Sequence, residues 1–195
     1  MVRRAKVERK TTETEITVDM NLDGTGSGEI STTIPFFDHM LGLMAKHGFF
    51  DLILKGKGDT DVDYHHLIED IGICLGETVK KALGNKEGIS RYGSAVVPMD
   101  ESLCRVDLDI SGRPYLVFNV DFSQKKIRDF DPDLLMEFFK SFSDNSGITL
   151  HINVIYGRNN HHIAEAIFKS FARALNRAIS IDERIKGVLS TKGRL

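Results

Sequence analysis

The sequence predicts an α+β protein built from two similar halves, residues 1–88 and 89–195. Strand-like and helix-like segments recur in the same order in both halves. Each half has its own segment of alternating apolar residues and its own long amphipathic segment opened by two adjacent histidines. These observations indicate an internal duplication, in which each half forms a strand-rich layer with two helices on one face.

In the first half, Ile16, Val18, Met20 and Leu22 alternate with polar residues, which predicts a strand over residues 15–22. A glycine-rich turn follows, and residues 29–34 are interpreted as the return strand, stopped by Pro35. Apolar residues at helical spacing then predict helices over residues 36–47 and 65–83, ended near glycines 48 and 84. A third strand is expected between these helices, over residues 50–57.

The second half repeats this arrangement. We predict strands at residues 96–97, 102–110, 114–120 and 149–155, and helices over residues 134–142 and 161–180. When the halves are aligned, Gly48 matches Gly147 and His39 falls opposite Glu137. The adjacent histidines 65–66 and 161–162 then occupy the same place in both halves.

Composition excludes several classes of protein. The chain has 26 basic and 28 acidic residues and a formal net charge of -2, which gives no general reason to expect nucleic acid as a partner. No apolar run approaches the length of about 20 residues that a membrane helix needs, and residues 1–6 lack the apolar stretch of a signal peptide. Since two cysteines cannot form a disulfide framework, we expect a soluble cytoplasmic protein.

The strongest chemical signal is the pattern His-His-x-x-Glu, which occurs at residues 65–69 and again at residues 161–165. Positions four apart lie on one face of a helix, so His65 with Glu69, and His161 with Glu165, can chelate one ion. The second histidine of each pair points about a quarter-turn away and must bind another ion. Imidazole and carboxylate ligands with open positions suit catalytic Mn, Fe or Zn.

If the two halves face each other around a pseudo-twofold axis, each ion takes a chelating pair from one helix and the second histidine of the other. The matched residues His39 and Glu137 would complete four protein ligands per ion. One predicted site is His39, His66, His161 and Glu165, and the other is His65, Glu69, Glu137 and His162. The alternative for a single such motif is a solvated helix start, but two copies at matched positions favour metal binding.

Basic residues beside glycine and serine indicate a phosphate-binding function. Arg91, Arg113 and Lys192 are predicted to lie on loops or strand ends, and Lys192 belongs to a Ser-Thr-Lys-Gly segment near the C-terminus. Guanidinium, ammonium and hydroxyl groups together can hold a small phosphate. The alternative interpretation of each is ordinary surface charge, and Glu13 is by default an exposed carboxylate at a strand edge.

The motifs FDHML (37–41), HHLIED (65–70), SGRPY (111–115), NNHHIAE (159–165) and STKG (190–193) closely resemble the imidazoleglycerol-phosphate dehydratase family of histidine biosynthesis, in its monofunctional form. The resemblance covers nearly the whole chain. It implies dehydration of imidazole glycerol phosphate to imidazole acetol phosphate, with two Mn²⁺ ions per active site. It also implies two half-domains of the ribosomal-protein-S5-domain-2-like type, each a four-stranded mixed sheet with two helices.

The resemblance further implies a homo-oligomer of twenty-four subunits built from trimers, with active sites completed at subunit interfaces. The family's metal ligands fall on the eight residues named above. Its substrate-binding positions carry over to Glu13, His47, Arg91, Arg113, Lys169, Ser190, Thr191 and Lys192. The sequence departs from the family at two positions, since Glu137 stands where many members have histidine, and Leu43 where some have glutamine.

As a mechanism, we hypothesise that the substrate's imidazole ring bridges the two ions and is ionised to imidazolate. The anion expels the hydroxyl group of the attached carbon, giving a diazafulvene-like intermediate, and Glu13 is the candidate for transferring the proton of the next carbon. The sequence is also compatible with two alternative functions. A metal-dependent hydrolase would use the same ligands, and a metal-storage protein would leave Arg91, Arg113 and Lys192 unexplained.

Overall fold

The computed structural model describes residues 3–123 and 126–195. Four strands and two helices form the first half: β1 (Arg4–Lys10), β2 (Thr14–Asn21), β3 (Gly28–Ser31), α1 (Pro35–Gly48), β4 (Asp51–Gly58) and α2 (His65–Leu83). The second half repeats the same order: β5 (Tyr92–Met99), β6 (Ser102–Asp109), β7 (Tyr115–Asn119), α3 (Leu134–Ser146), β8 (Thr149–Tyr156) and α4 (Asn160–Ile179).

Each half contains one mixed sheet. The spatial orders are β1-β2-β4-β3 and β5-β6-β8-β7, so the two sheets share one topology. In the first sheet β2 pairs antiparallel with both β1 and β4, whereas β3 pairs parallel with β4. The second sheet has the equivalent pairings. The predicted fold class, a duplicated α+β protein with four-stranded mixed sheets and two helices per half, is therefore confirmed.

Two details of the first sheet differ from the prediction. The segment interpreted as the return strand of β2 is β3, and its neighbour is β4, with Gly28 opposite Leu52. Strand β1 was not predicted, because its sequence RAKVERK carries a single fully buried side chain, Val7, among charged residues. Its place in the sheet comes from pairing with β2, which a pattern of apolar residues does not reveal.

The helices lie between the two sheets. Helix α2 packs on β1 and β2, α4 packs on β5 and β6, α2 contacts α3, and α1 contacts α4. Each half thus contributes two helices from one face of its sheet, and the helices of the two halves pack against one another. The N-terminal ends of α2 and α4 are equivalent positions of the duplicated frame, and each carries one His-His pair.

Aromatic residues fill the centre of the helical layer. Phe37 of α1 meets Phe138 of α3 edge to face, with ring centroids 5.2 Å apart, and Phe138 stacks on Phe168 of α4 at 5.7 Å. All three side chains are fully buried. Burying such rings is strongly favourable and joins the two halves into one core.

Helices α2 and α3 approach each other closely because α2 has glycines at its contact face. A Cβ atom added at Gly72 would lie 2.6 Å from the Phe138 carbonyl oxygen, and one at Gly76 would lie 2.6 Å from that of Phe142. Only glycine allows the two backbones this separation. Among the described residues, none of the helices combines the length and apolar character that a membrane crossing requires.

Candidate functional site

At both His-His pairs, a side-chain oxygen two residues earlier accepts the backbone N–H of the first histidine. The backbone N–H of His65 donates to Asp63 Oδ1 at 2.8 Å, and that of His161 donates to Asn159 Oδ1 at 2.9 Å. Side-chain oxygens of this kind satisfy N–H groups that have no partner within the helix. Asn159 is the N-cap residue of α4, whereas α2 begins after Tyr64, which provides no side-chain cap.

The spacing of each motif brings its first histidine to its glutamate. His161 Nε2 lies 3.1 Å from Glu165 Oε1, and His65 Nε2 lies 3.9 Å from Glu69 Oε2. The second histidine is turned away, since the rings of His161 and His162 are perpendicular, at 90°. This geometry agrees with the predicted chelating pairs.

A third ligand candidate, His39 of α1, joins the pair on α4. His39 Nε2 lies 3.0 Å from Glu165 Oε1, the same oxygen that His161 approaches. The donor atoms of His39, His161 and Glu165 all lie within 4.8 Å of one another. The other oxygen of Glu165 accepts a hydrogen bond from Lys169. Three of the four residues predicted for one ion are thus together in a single chain.

The electrostatics of this cluster favour a cation. Burial alone raises the pKa of Glu165, but hydrogen bonds from Lys169, His39 and His161 outweigh it and hold the pKa at about 2. The carboxylate is therefore ionised and buried, with one oxygen directed at two imidazoles. Two nitrogen donors and one carboxylate oxygen at these separations fit Mn, Fe or Zn, so the residues present suit the ion that the sequence predicted.

Glu137 occupies the position on α3 that His39 has on α1. Both residues lie equally far before left-handed C-cap residues, Phe49 and Gly147. The neighbouring carbonyl of Phe138 touches α2, so Glu137 stands beside the helix that carries His65 and Glu69. Glu137 is half-buried, and within residues 3–123 and 126–195 no hydrogen bond or ion pair engages it. The second set of predicted ligands, His65, Glu69 and Glu137, is therefore less closely clustered than His39, His161 and Glu165.

Within one chain the structure brings neither His66 nor His162 to the clustered ligands, and each instead contacts a carboxylate of a neighbouring loop. His66 Nδ1 contacts Asp59 Oδ2 at 3.0 Å, with Glu13 Oε2 at 3.9 Å, and His162 Nδ1 contacts Glu101 Oε2 at 2.6 Å. The quarter-turn between adjacent helical residues directs both rings toward neighbouring loops, where carboxylates hold them. The hydrogen bonds that these carboxylates accept raise the pKa of both histidines.

The loop that carries Glu13 is fixed by a buried ionic network. Asp70 of α2 accepts hydrogen bonds from Arg9 Nε at 2.8 Å and from the Thr14 hydroxyl at 2.5 Å. The Thr11 hydroxyl in turn accepts the backbone N–H groups of Glu13, at 3.1 Å, and Thr14, at 2.9 Å. The helix with His65 and His66 is thereby tied to the β1–β2 turn, and the exposed Glu13 side chain stands beside His66.

Among the predicted phosphate ligands, Arg91 is engaged within the chain. Its Nε and Nη2 atoms donate to Asp109 at 2.7 and 3.0 Å, and Nη1 donates to the Leu189 carbonyl at 2.8 Å. The hydrogen bonds to Asp109 raise the pKa of Arg91. This arrangement fastens the C-terminal segment to strands β5 and β6.

The hydrogen bond from Arg91 to the Leu189 carbonyl places Ser190 and Thr191 beside Arg91, in one open pocket. Lys192 is exposed, and its backbone N–H donates to the Ser190 hydroxyl at 3.1 Å. Arg113 follows a turn at Gly112, whose φ of 74° glycine adopts without strain. The Arg113 side chain is exposed, so a free guanidinium and a free ammonium remain for an anion.

The metal cluster and the phosphate candidates lie at opposite ends of α4. The backbone N–H of Arg91 donates to the carbonyl of Ala178 near the C-terminal end of this helix, at 2.8 Å, whereas His161 stands at its start. With a rise of 1.5 Å per residue, these ends are roughly 25 Å apart. A small substrate cannot contact both groups in the same chain.

Lys169 belongs to the metal end of the molecule, because its Nζ donates to Glu165. His47 lies in the last turn of α1, where the neighbouring Gly48 carbonyl accepts a hydrogen bond from Asn176, toward the other end of α4, at 2.9 Å. Burial lowers the pKa of His47, and the charges of Lys169 and Arg173 lower it further, so this imidazole is neutral near pH 7 and can accept or donate a hydrogen bond. Leu43, at the position where some family members have glutamine, is half-buried and packs against the core.

Sequence reasoning missed two acidic residues of the site, Asp59 and Glu101. Both lie outside the His-His-x-x-Glu motifs, in loops that follow β4 and β5. An alignment of the two halves that included β1 would have found Glu101, because it directly precedes β6 as Glu13 directly precedes β2.

Comparisons with known proteins identify the family. Residues 32–175 match the family model described as imidazoleglycerol-phosphate dehydratase. An imidazoleglycerol-phosphate dehydratase from Syntrophus aciditrophicus is 62% identical over 196 residues, covering 100% of each chain. One from Clostridium acetobutylicum is 58% identical over 193 residues, covering 99% of this chain and 98% of the relative.

Solved structures of the family share the fold. The crystal structure of imidazoleglycerol-phosphate dehydratase from Staphylococcus aureus subsp. aureus N315 has a TM-score of 0.83 and 38% identity, covering 93% of this chain and 100% of that one. The Pyrococcus furiosus structure has a TM-score of 0.84 and 38% identity, covering 97% and 100%. The chain belongs to the imidazoleglycerol-phosphate dehydratase family of hydro-lyases, which carries out the dehydration step of histidine biosynthesis.

Proposed function

We propose that this enzyme converts imidazole glycerol phosphate into imidazole acetol phosphate with two Mn²⁺ ions per active site. The observation that supports it best is the meeting of His39, His161 and Glu165 around one point, with donor atoms within 4.8 Å of one another. When bound, the ions act as Lewis acids that acidify the N–H group of the substrate's imidazole ring.

In this proposal one ion is held by His39, His161 and Glu165, and the other by His65, Glu69 and Glu137. His66 and His162 point away from the clusters of their own chain, so each completes the site of a neighbouring subunit. The separation of roughly 25 Å along α4 between the metal and phosphate ends supports the same conclusion. The active sites are then shared between chains, in the twenty-four-subunit shell of trimers that the family resemblance implies.

The chain's own residues bind and orient the substrate. Arg113, Lys192, Ser190 and Thr191 hold the phosphate, and Arg91 adds its charge while it fixes the C-terminal segment. Lys169 contacts the substrate at the metal end, and His47 is a further substrate contact. The ionised ring expels the hydroxyl group from the attached carbon, and Glu13 removes the proton of the next carbon, which gives an enol that becomes the ketone.

The direct test is turnover of imidazole glycerol phosphate by metal-free enzyme before and after Mn²⁺ is added. We expect imidazole acetol phosphate to form only in the presence of Mn²⁺. Release of inorganic phosphate instead would show a metal-dependent hydrolase, and Mn²⁺ binding without any product would show a storage function. We also propose a cytoplasmic location, consistent with two cysteines that are free and buried.

A further inference from the structure

The two halves of the molecule place a glutamate at equivalent positions. Glu13 directly precedes Thr14, the first residue of β2, and Glu101 directly precedes Ser102, the first residue of β6. Thr14 and Ser102 are both buried, with exposed fractions of 4% and 1%. Each glutamate stands next to the second histidine of its half. Glu101 is therefore the counterpart of Glu13 in the duplicated frame.

The surroundings of these two glutamates differ. Glu101 Oε2 lies 2.6 Å from His162 Nδ1, and its Oε1 accepts the backbone N–H of Asn159 at 2.8 Å. Glu13 Oε2 is 3.9 Å from His66 Nδ1, too far for a hydrogen bond, and the side chain is about half exposed. One carboxylate is held in place, and its counterpart is free to move.

Asp59 explains the difference. It directly follows Gly58, where an added Cβ atom would meet Leu67 and Thr14, just as one added at Gly157 would meet Ile163 and Ser102. The residue that follows Gly157 is Arg158, so the second half has no acidic residue at this position. In the first half Asp59 contacts His66 Nδ1 at 3.0 Å, and in the second half Glu101 has the same contact with His162.

We propose that Glu101 and Asp59 are positioning residues, each holding Nδ1 of one histidine so that Nε2 is presented to the metal. Asp100 Oδ2 is 3.8 Å from His162 Nε2, too far to compete by hydrogen bonding. Because Asp59 holds His66, Glu13 is left available for proton transfer. This inference rests on the proposed metal-dependent function. A carboxylate on the distal nitrogen of a ligating histidine fixes the tautomer that can bind the ion.

The test uses full-length Glu101→Gln, because the amide is isosteric with the carboxylate. Its oxygen can keep the backbone hydrogen bond to Asn159, whereas its NH₂ group faces His162 Nδ1 as a donor. The ring proton must then move to Nε2, which removes the lone pair needed by the metal. We expect Mn²⁺ affinity, measured by electron paramagnetic resonance of free Mn²⁺, to fall roughly 10- to 100-fold.

The matched variants separate positioning from simple anchoring of the loop. Asp59→Asn should lower Mn²⁺ affinity as Glu101→Gln does, whereas Glu13→Gln should leave it unchanged. Asp19→Asn, which alters a carboxylate paired with Arg4 on the sheet surface, serves as the control and should bind Mn²⁺ like the unaltered enzyme.

Wild-type affinity in Glu101→Gln, or equal losses in Glu13→Gln and Asp59→Asn, would overturn the inference while the proposed function stood. Failure of the unaltered enzyme to bind Mn²⁺ or to dehydrate the substrate would instead refute the proposed function itself. The two failures are therefore distinguishable in one set of measurements.

Discussion

At the residue scale, Glu165 is the centre of the candidate metal site. It is buried, and Lys169, His39 and His161 hold its pKa at about 2, so it carries its negative charge at any ordinary pH. A buried carboxylate is stable only when it is paired or coordinates a metal. Lys169 pairs with one oxygen of this carboxylate, and two imidazole nitrogens converge on the other. The side chains of His39, His161 and Glu165 are the proposed ligands of one ion.

Glu13 is the residue assigned to proton transfer, and its replacement gives a direct prediction. Glu13→Gln removes the basic group but none of the proposed metal ligands. Turnover should fall by about 10²-fold or more, while metal content stays at the level of the unaltered enzyme. Steady-state kinetics and elemental analysis of the same preparation measure both quantities. Near-normal turnover would remove Glu13 from the mechanism.

The pairing of residues four apart on a helix could be read from the sequence, because helical geometry is local. That is why His161–Glu165 and His65–Glu69 were predicted together. Asp59 and Glu101 could not be read in the same way. Their contacts with His66 and His162 depend on where the loop after β4 and the loop between β5 and β6 pass, which no local pattern indicates.

At the scale of elements, the close approach of α2 and α3 places Glu137 beside the helix with His65 and Glu69. Gly72 and Gly76 permit this approach, since a side chain at either position would collide with a carbonyl oxygen of α3. Because this carbonyl oxygen belongs to the backbone of α3, it cannot rotate away as a side-chain atom could. The α2–α3 contact is thus sensitive to a single methyl group.

Gly76→Ala is expected to lower stability by about 1–3 kcal/mol through overpacking, despite the better helix propensity of alanine. The matched control is Gly42→Ala on α1, where an added Cβ meets nothing within 4 Å. That variant should gain up to about 1 kcal/mol. Denaturant unfolding of both variants provides the comparison. A neutral or stabilising Gly76→Ala would show that the helices are not in close contact.

The helices and the inner strands were predictable because their apolar residues recur with clear periods. The pairing of the strands was not predictable, because residues 29–34 indicate a strand without indicating which strand it pairs with. The chain leaves β2 and returns beside β4 instead, where β3 runs parallel to it. Topology of this kind depends on long-range contacts that only the folded molecule shows.

At the scale of the whole molecule, the metal and phosphate ends of one chain are too far apart to serve one small substrate. The proposed sharing of active sites between subunits would resolve this separation, and it would also give His66 and His162 an ion to bind. In this account the ions hold subunits together as well as assisting the reaction. Assembly and metal content are then linked.

Metal removal should therefore change the size of the particle. Treatment with chelator is expected to convert a large assembly into smaller ones, because ligands from different chains no longer meet at an ion. Size-exclusion chromatography with light scattering measures the change, and adding Mn²⁺ back should reverse it. An unchanged elution volume after verified metal removal would count against ions shared between subunits.

The central claim is that the helix starts of α2 and α4 and the facing residues of α1 and α3 bind two divalent ions for every chain. Elemental analysis of Mn²⁺-loaded enzyme, purified without chelator, tests it most directly. We expect about two Mn²⁺ ions per chain, and about half as many when His39 and His161 are both replaced by alanine. A protein that dehydrates its substrate without any bound metal would contradict it.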